Sequence, residues 1–139
     1  MYYLGVDLGG TNIKAALVSE SGEIIKEAAA PTNLPRMAQE VCDDIAALCL
    51  QLGAGEPVAG IGVGCPGTVC DGVVLYSNNL DWHDFAMADY LQAKTGLPVC
   101  LGNDANVAAL GEALAGCAKG AESAVILTLG TGVGAGVVL

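Results

Sequence analysis

Near both of its ends this sequence is written to one plan. Val6-Asp-Leu-Gly-Gly-Thr-Asn-Ile-Lys-Ala-Ala-Leu-Val18 aligns with Leu127-Thr-Leu-Gly-Thr-Gly-Val-Gly-Ala-Gly-Val-Val-Leu139. Each is an apolar strand ending in Leu-Gly, a turn of glycine and threonine, and an apolar return strand, the pattern of a β-hairpin. A repeat of this kind constrains the fold strongly, because it implies two similar halves, each opened by its own hairpin. The sequence ends directly after the second hairpin. We therefore expect residues 1–117 to form a first lobe and 118–139 the truncated start of a second.

The first copy holds an anomaly. Asp7 lies inside an apolar strand, where an unpaired carboxylate costs free energy. Gly9 and Gly10 follow it and permit backbone geometries that side chains forbid. Free N–H groups of such a turn can hold phosphate oxygens, and an acid beside them suits a metal-bound phosphate. The plain alternative is an ordinary hairpin with a solvated Lys14.

Between the hairpins, strands are expected at 2–8, 13–19 and 22–30, meandering through a Ser21-Gly22 turn. Pro35 should open an amphipathic helix with Met37, Val41, Ile45, Leu48 and Leu52 on one stripe and Gly53 at its end. Val58 to Val63 is a continuous apolar run, as in a strand covered on both faces. A Pro66-Gly67 turn, a hairpin through Asp71-Gly72, a loop over 78–82 and a short helix over 84–94 follow. Val99 to Leu101 makes a buried strand, Asn103-Asp104 opens a helix to about 116, and a last strand runs near 124–129. A meander followed by alternating helices and strands gives an α/β layered fold.

Composition excludes several functions. The 139 residues suit one domain or slightly more, and 53% hydrophobic against 14% charged leaves room for a core and a contact surface. Net charge is −10, with 15 acids against 5 Lys or Arg. Neither nucleic acid nor a membrane surface would find the basic face it needs. Ser123 to Leu139 is uncharged, but Gly130, Gly132, Gly134 and Gly136 interrupt it, so it reads as two strands and a turn. None of the six cysteines forms a C-x-x-C pair, and because Met1 leads within a few residues into the first strand no signal peptide is expected. Reduced, buried thiols in the cytoplasm are expected, with no zinc site in this stretch.

Five motifs occur in order: Asp7-x-Gly9-Gly10-Thr11, Gly64-Cys-Pro-Gly67, Ser77-Asn-Asn-Leu-Asp-Trp82, Gly102-Asn-Asp-Ala-Asn106 and Leu129-Gly-Thr-Gly-Val-Gly134. Together they resemble the ROK family (repressors, open reading frames and sugar kinases), and within it the bacterial glucokinases. The resemblance spans essentially the whole sequence. It implies an α/β lobe of the actin-like ATPase (ribonuclease H-like) fold, a mixed sheet flanked by helices, with ATP and sugar in a cleft between two lobes. It implies ATP-dependent phosphorylation of a hexose, glucose to glucose 6-phosphate first, with Asp104 as the general base.

The same resemblance distributes further roles. Asp7, Gly9, Gly10, Thr11, Asn12 and Lys14, with Thr131 and Gly132 from the second hairpin, would hold ATP phosphates. Asp7 would also carry Mg²⁺ through water, since this ion keeps much of its hydration shell. Gly67, Thr68, Asn78, Asn79, Asn103 and Asp104 would hold the sugar. Each has a bland counterpart: Asn103 and Asp104 are good helix caps, Asn78 and Asn79 are good turn formers, and Gly67 could simply turn the chain. His83, beside Trp82, reads as a surface loop residue. The family's remaining sugar ligands and its zinc-binding cysteines lie further downstream, so a structural zinc is expected only there. A homodimer is the expected assembly.

Two rival classes have some footing in the sequence. Gly130-Thr-Gly-Val-Gly-Ala135 fits the dinucleotide fingerprint, but the extended Val137-Val-Leu139 stands where that fingerprint needs a helix, with no acid further on. A non-catalytic sugar sensor of the same family is the other alternative. Repressors of that family carry a helix-turn-helix ahead of the first hairpin, where only five residues stand here.

Overall fold

The computed structural model describes residues 1–130 and 132–139. In chain order its elements begin with β1 (Tyr2–Leu8), β2 (Asn12–Ser19), β3 (Ile24–Pro31), α1 (Ala38–Leu52) and β4 (Val58–Cys65). Then come β5 (Thr68–Cys70), β6 (Val73–Ser77), β7 (Trp82–Phe85), α2 (Met87–Thr95) and β8 (Val99–Asn103). The chain closes with α3 (Asp104–Ala115), β9 (Ala124–Leu129) and β10 (Val133–Val138).

The meander builds one half of a five-stranded sheet of order β3-β2-β1-β4-β8, in which β4 and β8 run parallel to β1. Side chains alternate between the faces of a strand, and here the alternation decides everything. Leu4, Val6 and Leu8 of β1 and Ile13, Ala15 and Leu17 of β2 are buried in the main core. Val41, Cys42, Ile45, Ala46, Cys49 and Leu52 of α1 join them there.

The opposite face is paved with small residues. The register sets Lys14, Asp7, Gly64 and Gly102 side by side across β2, β1, β4 and β8. Helix α3 lies on this face, and the glycines make room for it. A Cβ on Gly64 would fall 2.8 Å from Val107 Cγ2, and one on Gly102 would fall 2.4 Å from Val107 Cγ1. On its other side α3 receives the β9–β10 hairpin, again through a glycine. A Cβ on Gly136 would lie 2.4 Å from Ala109 Cβ and 2.6 Å from the Ala105 carbonyl. The helix that begins with Asp104 is thus held between β4 and β8 of the main sheet and the second hairpin of the repeat.

Three expectations are corrected. The stretch 82–85 is a strand rather than loop and helix start: β7 pairs with β6 through Ser77–Trp82, Tyr76–His83 and Val74–Phe85. Trp82 packs its edge against Phe85 at 5.7 Å, so aromatic residues suited to a half-buried sheet outweigh the helix signal that begins two residues later. His83 accordingly sits on a strand, exposed, 5.0 Å from the ring of Tyr76. Met37 caps α1 and is exposed rather than part of its buried stripe, while the Glu40 carboxylate accepts from the Met37 N–H at 3.0 Å. Finally, only three cysteines are buried. Burial pushes the thiols of Cys42 and Cys65 up to about 12 and that of Cys49 to about 11, so these stay neutral, while Cys70, Cys100 and Cys117 are exposed.

Candidate functional site

Strands β1, β4 and β8 run parallel, so their carboxyl ends open on one edge of the sheet, where ligands of open α/β sheets bind. Leu8 leads there into the Gly9 turn, Cys65 into the Pro66-Gly67 turn, and Asn103 into α3. A cavity of about 470 Å³ occupies this edge. Asp7, Gly9, Gly10, Gly67, Asn79, Asn103 and Asp104 line it from one side, and Thr128, Leu129, Gly130, Gly132 and Gly134 from the second hairpin. A larger groove of about 770 Å³ lies over β1–β3, but its walls are mostly apolar, and of the predicted residues it holds only Asp7 and Lys14. The chemistry converges on the smaller cavity.

The first turn is tied from behind. The Gly9 N–H donates to the Asn12 carbonyl at 2.9 Å, and a Cβ on Gly9 would sit 2.9 Å from that oxygen. Glycine is therefore needed for space; neither Gly9 nor Gly10 adopts a positive φ. The buried Thr32 hydroxyl donates to the Gly9 carbonyl at 2.7 Å, and the Thr32 N–H donates to the Thr11 carbonyl at 2.9 Å. No sequence pattern marks Thr32 for this task.

Asn103 is the N-cap of α3. Its Oδ1 accepts from the N–H groups of Ala105 at 3.1 Å and Asn106 at 3.3 Å, while its Nδ2 donates to the Gly67 carbonyl at 3.0 Å. One amide hydrogen stays uncommitted. Asp104 is half-buried, and its Oδ1 accepts from the Ala105 N–H at 2.8 Å. Its charge, after burial itself, helps hold the neighbouring Cys65 thiol neutral.

The remaining predicted residues divide. Lys14 pairs with Asp7 in the register but lines the larger groove rather than the 470 Å³ cavity. Thr11, Asn12, Thr68 and Asn78 are exposed outside the cavity wall, and Asn78 Oδ1 accepts from the Tyr76 hydroxyl at 2.8 Å. Thr131 lies outside the described residues. Thr128 was not anticipated, yet the internal repeat sets it opposite Asp7 and could have revealed it.

Among the described residues no lysine or arginine lines the cavity, while two carboxylates, Asp7 and Asp104, do. A phosphate held here must be neutralised by backbone amides and a bound cation. Among the described residues no group of three or more His, Cys, Asp or Glu is placed to cage a metal. One carboxylate is nonetheless a fitting donor set for Mg²⁺, which binds through one or two carboxylates, water and substrate phosphates.

The profile of the ROK family matches residues 3–139. The glucokinase of Halalkalibacterium halodurans is 41% identical over 99% of this chain, and that of Thermotoga maritima 42% identical over 97%. In each case the chain spans 44% of the relative's length. Among solved structures, the ROK family glucokinase from Streptomyces griseus in complex with glucose and AMPPNP superposes with a TM-score of 0.93 at 37% identity. That match covers 100% of this chain and 45% of the other.

Proposed function

The chain belongs to the ROK family and folds as part of its actin-like ATPase architecture, and from that premise we propose that the protein containing it transfers the γ-phosphoryl group of ATP to the 6-hydroxyl of a hexose, glucose first. The observation that carries this is the placement of Asp104, at the start of α3, in one cavity with both glycine hairpins and with the Gly67 and Asn79 turns. Phosphoryl transfer asks little covalent help of a protein; positioning and charge stabilisation dominate.

In this mechanism Gly67, Asn79 and Asn103 orient the sugar, and Asp104 accepts the proton of the attacking hydroxyl. The amides of the Gly9-Gly10 turn hold phosphate oxygens from one side, and Thr11, Asn12 and Lys14, outside the cavity wall, would meet only phosphate oxygens that project beyond it. Gly132 holds them from the other, and Thr131 is assigned to the same phosphates. Thr68 and Asn78 stand behind the sugar turns. Asp7 would hold Mg²⁺ through water, and the ion would neutralise phosphate charge in a cavity that has no cation among the described residues. The glucose and AMPPNP bound to the Streptomyces griseus relative support both substrates. The proposal extends to a homodimer in the cytoplasm. Six free thiols fit a reducing compartment.

The test is a coupled ATP-to-ADP assay on the whole protein across several hexoses. Turnover is expected, and Asp104→Asn should lower kcat by about 10²–10⁴-fold while glucose binding persists. Near-normal kcat in the variant removes Asp104 from the mechanism. Glucose binding without any turnover makes the protein a sugar sensor instead.

A further inference from the structure

Asn103 sits between two parts of the candidate site that come from distant stretches of sequence. One is the base on α3; the other is the β6–β7 turn, which brings Asn79 to the cavity. The link between them runs through Gly67. This residue has φ +106, and a Cβ on it would fall 2.2 Å from the Tyr76 carbonyl and 2.8 Å from Ser77 Cα. The Gly67 turn is thus pressed against the end of β6, where the Asn79 turn begins. Its carbonyl in turn receives the Asn103 Nδ2–H at 3.0 Å. Among the described residues this is the one side-chain hydrogen bond joining that turn to α3. The side chains at the base of the Asn79 turn supply no such bond to α3: Ser77 Oγ and Trp82 Nε1 are both buried without a hydrogen-bond partner.

From these contacts we infer that Asn103 is a positioning residue, whose bond to the Gly67 carbonyl fixes the Asn79 turn relative to Asp104 and so sets the sugar hydroxyl against its base. This role rests on the kinase reading and adds to it. A group held by three hydrogen bonds, two of them to its own helix, is suited to transmit position. The Asn103 amide therefore serves α3 and the sugar turn together. A misplacement on the order of 1 Å between hydroxyl and base can cost about 10²-fold in rate, so the loss of one hydrogen bond here matters beyond its own energy.

Two variants of the whole protein approach the joint from opposite sides. Asn103→Ser keeps a capping hydroxyl for α3 but cannot reach Gly67. Gly67→Ala leaves the cap intact and forces the turn away from Tyr76. Hydrogen exchange, read by mass spectrometry, should rise across 68–85 in both variants, with 104–115 unchanged in Gly67→Ala. A double-substitution cycle of Asn103→Ser with Asn79→Ala should be strongly non-multiplicative in kcat/KM, because once Asn103→Ser frees the turn Asn79 is no longer held against the sugar and its removal costs little more. Asn103→Ser should lower kcat as well as raise KM for glucose. Exchange that rises only in 104–115, or effects of the two substitutions that simply multiply, would overturn the inference. Absence of turnover in the unsubstituted protein would sink the kinase proposal by itself, and the exchange data would still decide the joint.

Discussion

The two hairpins share a sequence plan and have opposite fates. In the first, Leu4, Leu8, Ile13 and Leu17 are at most 1% exposed, because β1 and β2 sit inside a five-stranded sheet under α1. In the second, Val125, Leu127, Leu129 and Val137 are 62–80% exposed, because β9 and β10 form a sheet of two strands with α3 on one face only. Burial is set by neighbours that the hairpin's own sequence does not describe. The register differs too. Leu8 pairs with Ile13, whereas Leu129 pairs with Val133, so the second turn is one residue shorter. A one-residue shift moves every side chain of the return strand to the other face. Gly134 consequently opposes Thr128 where Lys14 opposes Asp7, and the gapless alignment misplaces the whole return strand.

The sharpest way to break this comparison is to ask whether the equivalent positions Asp7 and Thr128 differ in function as they do in charge. In the whole protein, Asp7→Asn should lower kcat/KM for ATP by about 10²–10³-fold, the range for loss of one preorganised electrostatic group. Thr128→Val removes at most one hydrogen bond and should cost no more than about tenfold. Steady-state kinetics at saturating glucose compares the two. Equal losses would show that the hairpins contribute alike and that the carboxylate has no special task.

The next largest contrast is one of stability. Expressed as these 139 residues, Leu17→Ala should destabilise by about 2–5 kcal/mol through the cavity it leaves. Leu127→Ala should stay within about 0.5 kcal/mol. Urea unfolding of the two variants measures both. The same bare face should make the chain self-associate, and Leu127→Lys should return it to monomer in light scattering. A monodisperse chain would mean that the exposed face of β9–β10 is not sticky.

How much of this was legible beforehand follows from the same physics. The meander, the α1 stripe from Val41 to Leu52 and the capping of α3 all rest on local periodicity or local chemistry, which sequence displays. By contrast β8, expected to be buried, lies at the edge of the sheet with Cys100 exposed. The gathering of Asp104 with both hairpins was legible only through five ordered motifs and their family resemblance. Thr32 escaped because a buried threonine beyond a strand looks like any other. Strand β7 escaped because its order comes from pairing with β6, and Thr68 and Asn78 could not be sorted from Gly67 and Asn79 by motif alone.

The smallest expected effect tests the glycine-paved surfaces that hold α3. Gly136 is buried against α3, and an added methyl would meet the Ala109 side chain and the Ala105 carbonyl within 2.6 Å. Gly136→Ala should therefore cost about 1–3 kcal/mol by overpacking. Gly5 lies on the same face of β1 as Asp7, has no positive φ, and an added Cβ there would meet nothing within 4 Å. Its strand conformation is open to alanine, and the substitution narrows the unfolded ensemble. Gly5→Ala should thus leave stability unchanged or raise it by up to about 1 kcal/mol. Urea midpoints at constant m-value read both changes. If Gly5→Ala destabilises as much as Gly136→Ala, something covers the β1 face in solution. Repeating the measurement across protein concentration then tells a second copy, whose effect depends on concentration, from a rearrangement within one chain, whose effect does not.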